Sequence, residues 1–203
     1  QTWLNLHLKY THGYGVVMAP VNEVTPEGQP QLVFKNIPPI TTSEIPLNQP
    51  EVYFGELTDD YLVVNTDEKE FDYPFGSDNQ ETIYAGTAGI NLGAINRTLF
   101  SIRQSSMKML FSTNISEKSK IIINRNIKER IKKLAPFIEF DQNPYIVIDE
   151  SSGKLYWIID GYSVTNQYPY SQTYYFNDKT VNYVRNSVKA VVDAYNGDVS
   201  FYV

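Results

Sequence analysis

The fold class is decided by residues 145–159, which read YIVIDESSGKLYWII. Two runs rich in β-branched and aromatic residues, 145–148 and 155–159, enclose a polar segment that contains Gly153. Such runs favour extended strands, and a short polar segment with a glycine is typical of the turn between them. The stretch therefore predicts an antiparallel β-hairpin in the last third of the chain.

Upstream of this hairpin, the sequence predicts a central helical segment at about residues 92–134. Apolar residues recur at close to 3.6-residue spacing in two windows, and Pro136 would end the second helix. Ser116 is a candidate N-cap, with Glu117 in the first turn. The residues on the predicted apolar faces are Ile95, Leu99, Ile102 and Leu110 in the first window, and Ile123, Ile127, Ile131 and Leu134 in the second.

Downstream of the hairpin, a helix is predicted from about Asn182 to Ala194. Its apolar set is Tyr183, Val184, Val188, Val191 and Val192. Asn196-Gly197 would then turn the chain into a terminal strand that ends at Val203. These residues predict a C-terminal helix–strand unit.

The N-terminal part favours strands and loops, because seven of the eleven prolines lie between Pro20 and Pro50. Strands, then helices, then strands indicate an α+β fold with mostly antiparallel sheets. We expect residues 1–203 to form one domain, with two lobes as an option: a strand- and loop-rich lobe over 1–95, and a lobe of helices, hairpin and helix–strand unit over 96–203. Neither end looks native: Gln1 is not an initiator methionine, and the chain closes on an apolar run, so we expect a fragment of a longer protein.

Composition excludes several classes of function. The chain of 203 residues has a net charge of −6, which makes nucleic acid an unlikely partner on electrostatic grounds. Residues 1–95 carry three Lys/Arg against thirteen Asp/Glu, whereas residues 96–135 carry ten against two. We interpret the basic block as a solvated helix face, and the alternatives are an internal acidic–basic contact or a basic face for phosphate or lipid head groups. There is no cysteine and there are only two histidines, so neither a thiol nucleophile nor a three-histidine metal site can form. No metal and no cofactor are predicted.

Two local patterns are candidates for a binding function. The string Thr11-His12-Gly13-Tyr14-Gly15 places His12 and Tyr14 in a tight loop, where His12 could act as a base or ligand or could simply bond to neighbouring backbone. The segment 156–175 is rich in tyrosine with Asn and Gln nearby, which is typical of a sugar- or peptide-binding groove and equally of aromatic core packing. Our candidate ligand-binding residues there are Tyr156, Trp157, Tyr168 and Tyr170.

Carboxylates supply the main alternative, a hydrolase of cell-wall glycan or peptide. Glu23, Glu51, Glu56 or Asp72 could serve as acid and base if two of them lay about 5–9.5 Å apart in a cleft. No nucleophile motif and no pattern of paired acids identifies them, so no catalytic residue is assigned. A lipid-proximal role for the basic segment 117–134 is a third hypothesis.

Several longer strings carry a resemblance to a known family. They include Tyr10–Met18 followed by Pro20–Thr25, Pro50–Glu56, Lys69–Pro74, Arg125–Arg130, Tyr168–Ser171, and Tyr183–Lys189 with Asp193–Gly197. Together they resemble uncharacterised protein family 0182, a group of large bacterial integral membrane proteins. One departure is Gly161, where the family pattern leads us to expect Ala.

The resemblance implies topology rather than chemistry. Such proteins have a bundle of membrane helices followed by a large domain outside the cytoplasmic membrane, so this chain is expected to be part of that extracytoplasmic domain at the cell membrane. Its implied partners are the protein's own transmembrane helices, and the cell wall or another membrane protein. The family has no established activity. We therefore predict a non-enzymatic module that interacts with a ligand, a partner or the cell wall.

Overall fold

The computed structural model describes residues 2–203, and β-structure dominates it: 36% of the chain is strand and 15% is helix. The predicted α+β fold with a central helical segment and a C-terminal helix–strand unit is therefore wrong. Several small antiparallel sheets surround one larger sheet, and the helices are short and separated. No helix within the described residues is both long enough and apolar enough to span a bilayer.

The larger sheet contains the predicted hairpin. Strands β11 and β12 pair antiparallel with Ile146 opposite Trp157, and β12 continues far beyond the hairpin to pair with β15 along its whole length. The order is β10-β12-β15-β16, and β11 shares with β10 the same edge of β12. The strands are β10 (Glu139–Phe140), β11 (Tyr145–Ile148), β12 (Leu155–Thr165), β15 (Tyr183–Asp193) and β16 (Val199–Tyr202).

Strand β15 occupies the place of the predicted C-terminal helix. Its valines are β-branched, a side-chain shape that loses little freedom in a strand and more in a helix. Ala190 and Val192 are buried and alternate with exposed Lys189 and half-buried Val191, which is the period of a strand. Pairing on both sides, with β12 and β16, outweighs the helical spacing of the same residues.

The turn after β15 requires a glycine. Gly197 has a φ of +71°, and a Cβ at this position would lie 2.4 Å from the ring of Phe54. The Asp193 carboxylate accepts hydrogen bonds from the backbone N–H groups of Tyr195 and Asn196, which closes the turn. The predicted turn at Asn196-Gly197 is therefore present and leads into β16.

The central segment is divided by a strand. Strand β9 (Lys120–Ile122) interrupts the region predicted as one helix at 117–134, and helix α3 (Ile127–Leu134) begins only after Asn126. The Asn126 side chain accepts from the N–H groups of Lys128 and Glu129. Asn126, not Ser116, is thus the N-cap. The elements here are β8 (Ile90–Asn91), α1 (Ala94–Arg103), α2 (Met107–Phe111), β9 (Lys120–Ile122) and α3 (Ile127–Leu134), and β9 pairs with β5 (Leu62–Val64) and with β8.

The N-terminal part forms two-stranded ribbons, as its prolines lead one to expect. A π-helix at Asn5–Lys9 precedes them. The pairs are β1 (Gly13–Tyr14) with β4 (Glu51–Val52), β2 (Phe34–Lys35) with β3 (Ile40–Thr41), and β6 (Glu70–Phe75) with β7 (Asp78–Thr82); a further hairpin, β13 (Tyr174–Phe176) with β14 (Lys179–Val181), leaves the larger sheet.

Two hydrophobic clusters stabilise the chain. The larger lies between α3, β5 and the larger sheet, and its fully buried members include Phe54, Ile127, Ile131 and Ile159. It draws residues from both of the predicted lobes, and the division into lobes stays a prediction. The smaller cluster lies under the π-helix and β9, and it contains Leu8, Val63, Leu92, Met109, Ile115 and Ile121.

Candidate functional site

An apolar groove with a volume of about 530 Å³ opens beside the larger sheet. Its floor is the cross-strand pair Ile146 and Trp157, and its walls come from three loops that follow β1, β2 and β4. Pockets of this size, lined by apolar and aromatic side chains with few polar groups, are typical ligand sites. The lining residues are Gly13–Val17, Asn36, Ile37, Pro39, Val52, Gly55–Thr58, Ile146 and Trp157.

Trp157 is held rigidly at the floor of the groove. Its indole Nε1 donates to the backbone carbonyl of Phe54 at 2.9 Å, which satisfies the one polar atom of the ring. The ring face is thereby left for apolar contact. An anchor of this kind offers a large contact area without a loss of side-chain freedom on binding.

The Thr11–Gly15 loop forms one wall, and close packing explains its glycine-rich sequence. β1 pairs with β4, so that Tyr14 lies opposite Glu51. A Cβ on Gly15 would lie 3.1–3.3 Å from the side chains of Val52, Ile146 and Leu155, so a larger residue would push this wall away from the sheet.

Behind this wall lies a polar network. His12 has a fully buried side chain, and its Nε2 is 3.3 Å from the Asp72 carboxylate. The Tyr14 hydroxyl also donates to Asp72. Burial is the main cause that raises the pKa of Tyr14, and the bond to Asp72 adds to it, so the phenol stays protonated and acts as a donor. His12 and Tyr14 thus hold the wall in place from behind, while the Tyr14 side chain also lines the groove.

Glu70 is the centre of this network. Its carboxylate accepts from Thr11, from the Tyr53 hydroxyl at 2.7 Å and from the Tyr84 backbone N–H at 2.8 Å. Burial first, and the nearby Glu70 charge second, raise the pKa of Tyr53. A buried carboxylate with this many donors is satisfied, which suits a structural role.

Arg125 carries the positive charge of the same interior. Its guanidinium donates to the carbonyls of Tyr53 at 2.7 Å, Asp60 at 3.1 Å and Thr11 at 2.7 Å. Burial lowers its pKa to about 10, so it remains charged at neutral pH. The three carbonyls belong to three separate segments, so this one side chain ties the loop that carries His12 to β4 and β5.

The other aromatic candidates lie elsewhere. Tyr156 lies one residue from Trp157 on β12 and therefore points to the opposite face of the sheet. Tyr168 stacks on Tyr183 with ring centroids 5.0 Å apart, and Tyr170 is fully exposed in the loop before β13. Of the predicted site residues, Trp157 and Tyr14 line the same groove, and His12 and Tyr14 meet at the Asp72 carboxylate.

Of the four carboxylates considered for hydrolysis, only one lines the groove. Glu23 lies exposed in the loop before β2, and Asp72 faces the buried network. Burial is the main cause that raises the pKa of Glu51. Glu56 is the one carboxylate that lines the groove among residues 2–203, and it pairs with Lys128 at 3.3 Å. The groove therefore lacks the pair that hydrolysis with a general acid and base requires.

A second depression, of about 500 Å³, differs in character. It lies between α3 and β10, and charged side chains of both signs, such as Lys128, Glu129, Lys132 and Asp141, dominate its lining. Another of its lining residues, Glu139, forms an ion pair with Lys179. Such a lining is well solvated and offers little apolar area to a ligand. Within the described residues, no group of three or more His, Asp or Glu is arranged to hold a metal ion.

The sequence missed the rim of the groove. Val17, Ile37 and Leu57 are strongly exposed apolar residues in loops, where no helical or strand period marks them. The one indication in the sequence is that these apolar side chains lie in proline-rich loops, where no helix or strand of their own offers a surface to pack against.

The chain has close relatives along its whole length. It is 56% identical over 203 residues to a UPF0182 protein of Alkaliphilus metalliredigens, of whose length it covers 21%. It is 54% identical over 202 residues to a UPF0182 protein of Clostridium kluyveri and 52% identical over 202 residues to one of Clostridium botulinum, and it covers 22% of each. The chain thus spans about a fifth of the length of these curated relatives.

No solved structure matches the chain. The family model described as "Uncharacterised protein family (UPF0182)" matches residues 1–203, which is the whole chain. The resemblance inferred from the sequence strings is thereby confirmed. The chain belongs to the uncharacterised protein family UPF0182.

Proposed function

We propose that this chain is a non-enzymatic binding module of a larger bacterial membrane protein, and that its groove takes an apolar segment of a partner polypeptide. The observation that carries the proposal is the groove itself, an apolar trough of about 530 Å³ with the immobilised Trp157 at its floor. A polysaccharide has many hydroxyl groups, which need several polar partners in a binding site. The groove offers one carboxylate, Glu56, and an ion pair with Lys128 already engages it, so the groove suits a polysaccharide poorly.

Exposed side chains at the rim support a polypeptide occupant. Leu57 is 93% exposed in this structure, and Val17 and Ile37 are also largely exposed. Apolar side chains gathered around one trough mark an interaction surface more often than isolated ones do. Aromatic and aliphatic anchors of a peptide would bury both the trough and its rim.

The extracytoplasmic location of the module is part of the same proposal, and the sequence resemblance supports it. A membrane-impermeant maleimide can test it in the full-length protein once any cysteines elsewhere in that protein are replaced, because these 203 residues contain none. Cysteine in place of Tyr170, which is fully exposed, should react in intact cells if the module faces outward. Labelling only after the cells are lysed would contradict this location.

The groove is tested by selection from a random peptide library, followed by calorimetry with the selected peptides. We expect peptides with apolar anchors, and Leu57→Glu should weaken their binding at least about tenfold, since it places a charge in the apolar contact. Val21→Glu is the matched control, because Val21 is also fully exposed but does not line the groove.

Two results would overturn the assignment. Either peptide binding is insensitive to Leu57→Glu, or soluble cell-wall glycan fragments bind at the groove while the peptides do not.

A further inference from the structure

Helix α1 exposes most of its large aliphatic side chains to solvent, unlike an ordinary surface helix. Its apolar residues Ile95, Leu99 and Ile102 are 77%, 59% and 72% exposed. Their spacing of four and three residues places them in one stripe along the helix. A stripe of large aliphatic side chains in water is costly, which indicates that something else covers it.

The side of α1 that faces the protein carries Arg97 and Ser101, together with Phe100, which packs against the smaller cluster. Ser101 is buried, and its hydroxyl donates to the Arg97 carbonyl. The Arg97 guanidinium donates to the carbonyls of Met109, Ile115 and Ser112 in and after α2. The orientation of α1 is therefore fixed by three hydrogen bonds to backbone, and rotation of the helix to bury the stripe would break them.

Neighbouring apolar side chains enlarge the exposed area. Met107 and Phe111 of α2 are 65% and 72% exposed. Phe111 also lines a shallow depression of about 410 Å³ together with Trp3 and Leu4 at the start of the π-helix. The exposed apolar region is thus larger than one helix stripe.

The sequence segment that contains α1 and α2 carries charges of one sign. Between Glu81 and Glu117 the sequence contains no acidic residue, although the chain as a whole carries a net charge of −6. The basic residues in this interval are Arg97, Arg103 and Lys108. Arg103 and Lys108 are exposed, and within residues 2–203 neither forms an ion pair with a carboxylate.

We infer that the face formed by α1 and α2 lies on an anionic lipid surface. An exposed aliphatic stripe on a segment that carries cations and no acidic residue of its own is the pattern of a segment that rests in the membrane interface. The acidic residues Asp59 and Glu129, from neighbouring elements, lie with Arg103 around one depression at the edge of this face. The aliphatic side chains enter the boundary of the acyl chains, and Arg103 and Lys108 meet the phosphate headgroups. This inference is independent of the groove, which involves none of these residues.

The test uses a fluorescent reporter on the stripe. Leu99→Cys is labelled with the environment-sensitive dye bimane in the 203-residue chain, whose folding is checked by circular dichroism and a cooperative thermal transition. Vesicles of phosphatidylcholine alone are compared with vesicles that contain phosphatidylglycerol. Phe75→Cys is the control, because Phe75 is exposed to a similar degree, at 65%, on the hairpin of β6 and β7.

A blue shift at Leu99→Cys with anionic vesicles, and none at Phe75→Cys, would support the inference. Added Arg103→Gln or Lys108→Gln should weaken binding about fivefold each, and high salt should act in the same direction. As a second measurement, lipids that carry a spin label near the headgroup should quench the dye at Leu99→Cys in the full-length protein.

Three results would overturn the inference. Equal binding to neutral and anionic vesicles would remove the role of the cations. A blue shift without vesicles, together with a dimer in sedimentation, would show that a second copy covers the stripe. No shift and no quenching in either protein would exclude a lipid surface.

Discussion

Helices α1 and α3 look alike in sequence and behave in opposite ways in the structure. Both carry apolar residues at helical spacing, and both contain basic residues. Helix α3 buries Ile127 and Ile131 completely in the larger cluster, whereas α1 exposes Ile95, Leu99 and Ile102 and buries Ser101. Periodicity therefore shows that a helix has an apolar face, but it does not show whether that face meets the protein or its surroundings.

The contrast arises from what surrounds each helix. α3 follows β9 directly and packs between β5 and the larger sheet, where there is apolar surface to receive it. α1 lies against the C-terminal end of α2, which offers backbone carbonyls that need donors. The hydrogen bonds between Arg97 and these carbonyls therefore fix which side of α1 faces the protein.

The largest expected effect is a difference in stability between variants of the buried face of α3 and of the exposed face of α1. Ile131→Ala should lower the free energy of unfolding by about 2–5 kcal/mol, because it opens a cavity in the larger cluster. Leu99→Ala should change it by less than about 0.5 kcal/mol, because Leu99 makes few contacts that are lost. Urea titration of both variants measures the difference. A similar loss for the two would mean that α1 buries its stripe after all.

A smaller effect probes the polar face of α1. Arg97→Met should lower the free energy of unfolding by about 1–3 kcal/mol, because three backbone carbonyls lose their donor. Arg103→Met is the matched control on the same helix and should stay within about 0.5 kcal/mol, since Arg103 is exposed. Thermal unfolding followed by circular dichroism distinguishes them, and equal losses would contradict the orientation of α1.

The smallest effect concerns how the two helices begin. Asn126→Ala should cost about 1 kcal/mol, because it removes the acceptor for two N–H groups of α3. Gly93→Ser at the start of α1 should instead stabilise the protein by a few tenths of a kcal/mol, since no side chain caps α1 and a Cβ at Gly93 meets no atom within 4 Å. Calorimetric melting temperatures report both changes. A loss of stability for Gly93→Ser would show that α1 starts differently.

Several basic residues of segment 96–135 make contacts inside the protein. Arg125 lies buried among three carbonyls, and Arg130 donates to the Gly197 carbonyl and stacks on the ring of Phe54. Lys128 forms an ion pair with Glu56, which lies in the acidic N-terminal part of the chain. Some of the positive charge in residues 96–135 is thus used inside the protein, and Lys128 joins it to the acidic N-terminal part; such contacts were one of the alternatives that the charge distribution left open.

The sequence by itself determined the hairpin of β11 and β12, the turn at Asn196-Gly197, the proline-rich ribbons and the family. These features are local: they depend on β-branched runs, on glycine at positive φ and on proline. The motifs in the sequence also pointed to Trp157 and Tyr14, although they could not show that both residues line one groove.

Only the tertiary structure decided that residues 183–193 form a strand, that β9 interrupts the predicted helix, and that α1 faces outward. For the two strands, the same side chains suit either a helix or a strand locally, and pairing with distant strands selected the strand. For α1, the hydrogen bonds from Arg97 to the carbonyls in and after α2 fixed which side of the helix faces outward. The groove also depends on tertiary structure, because its floor and its walls come from residues 88 to 144 positions apart. The register of β12 and the loop that Arg125 holds bring them together. Contacts at that separation leave no period in the sequence.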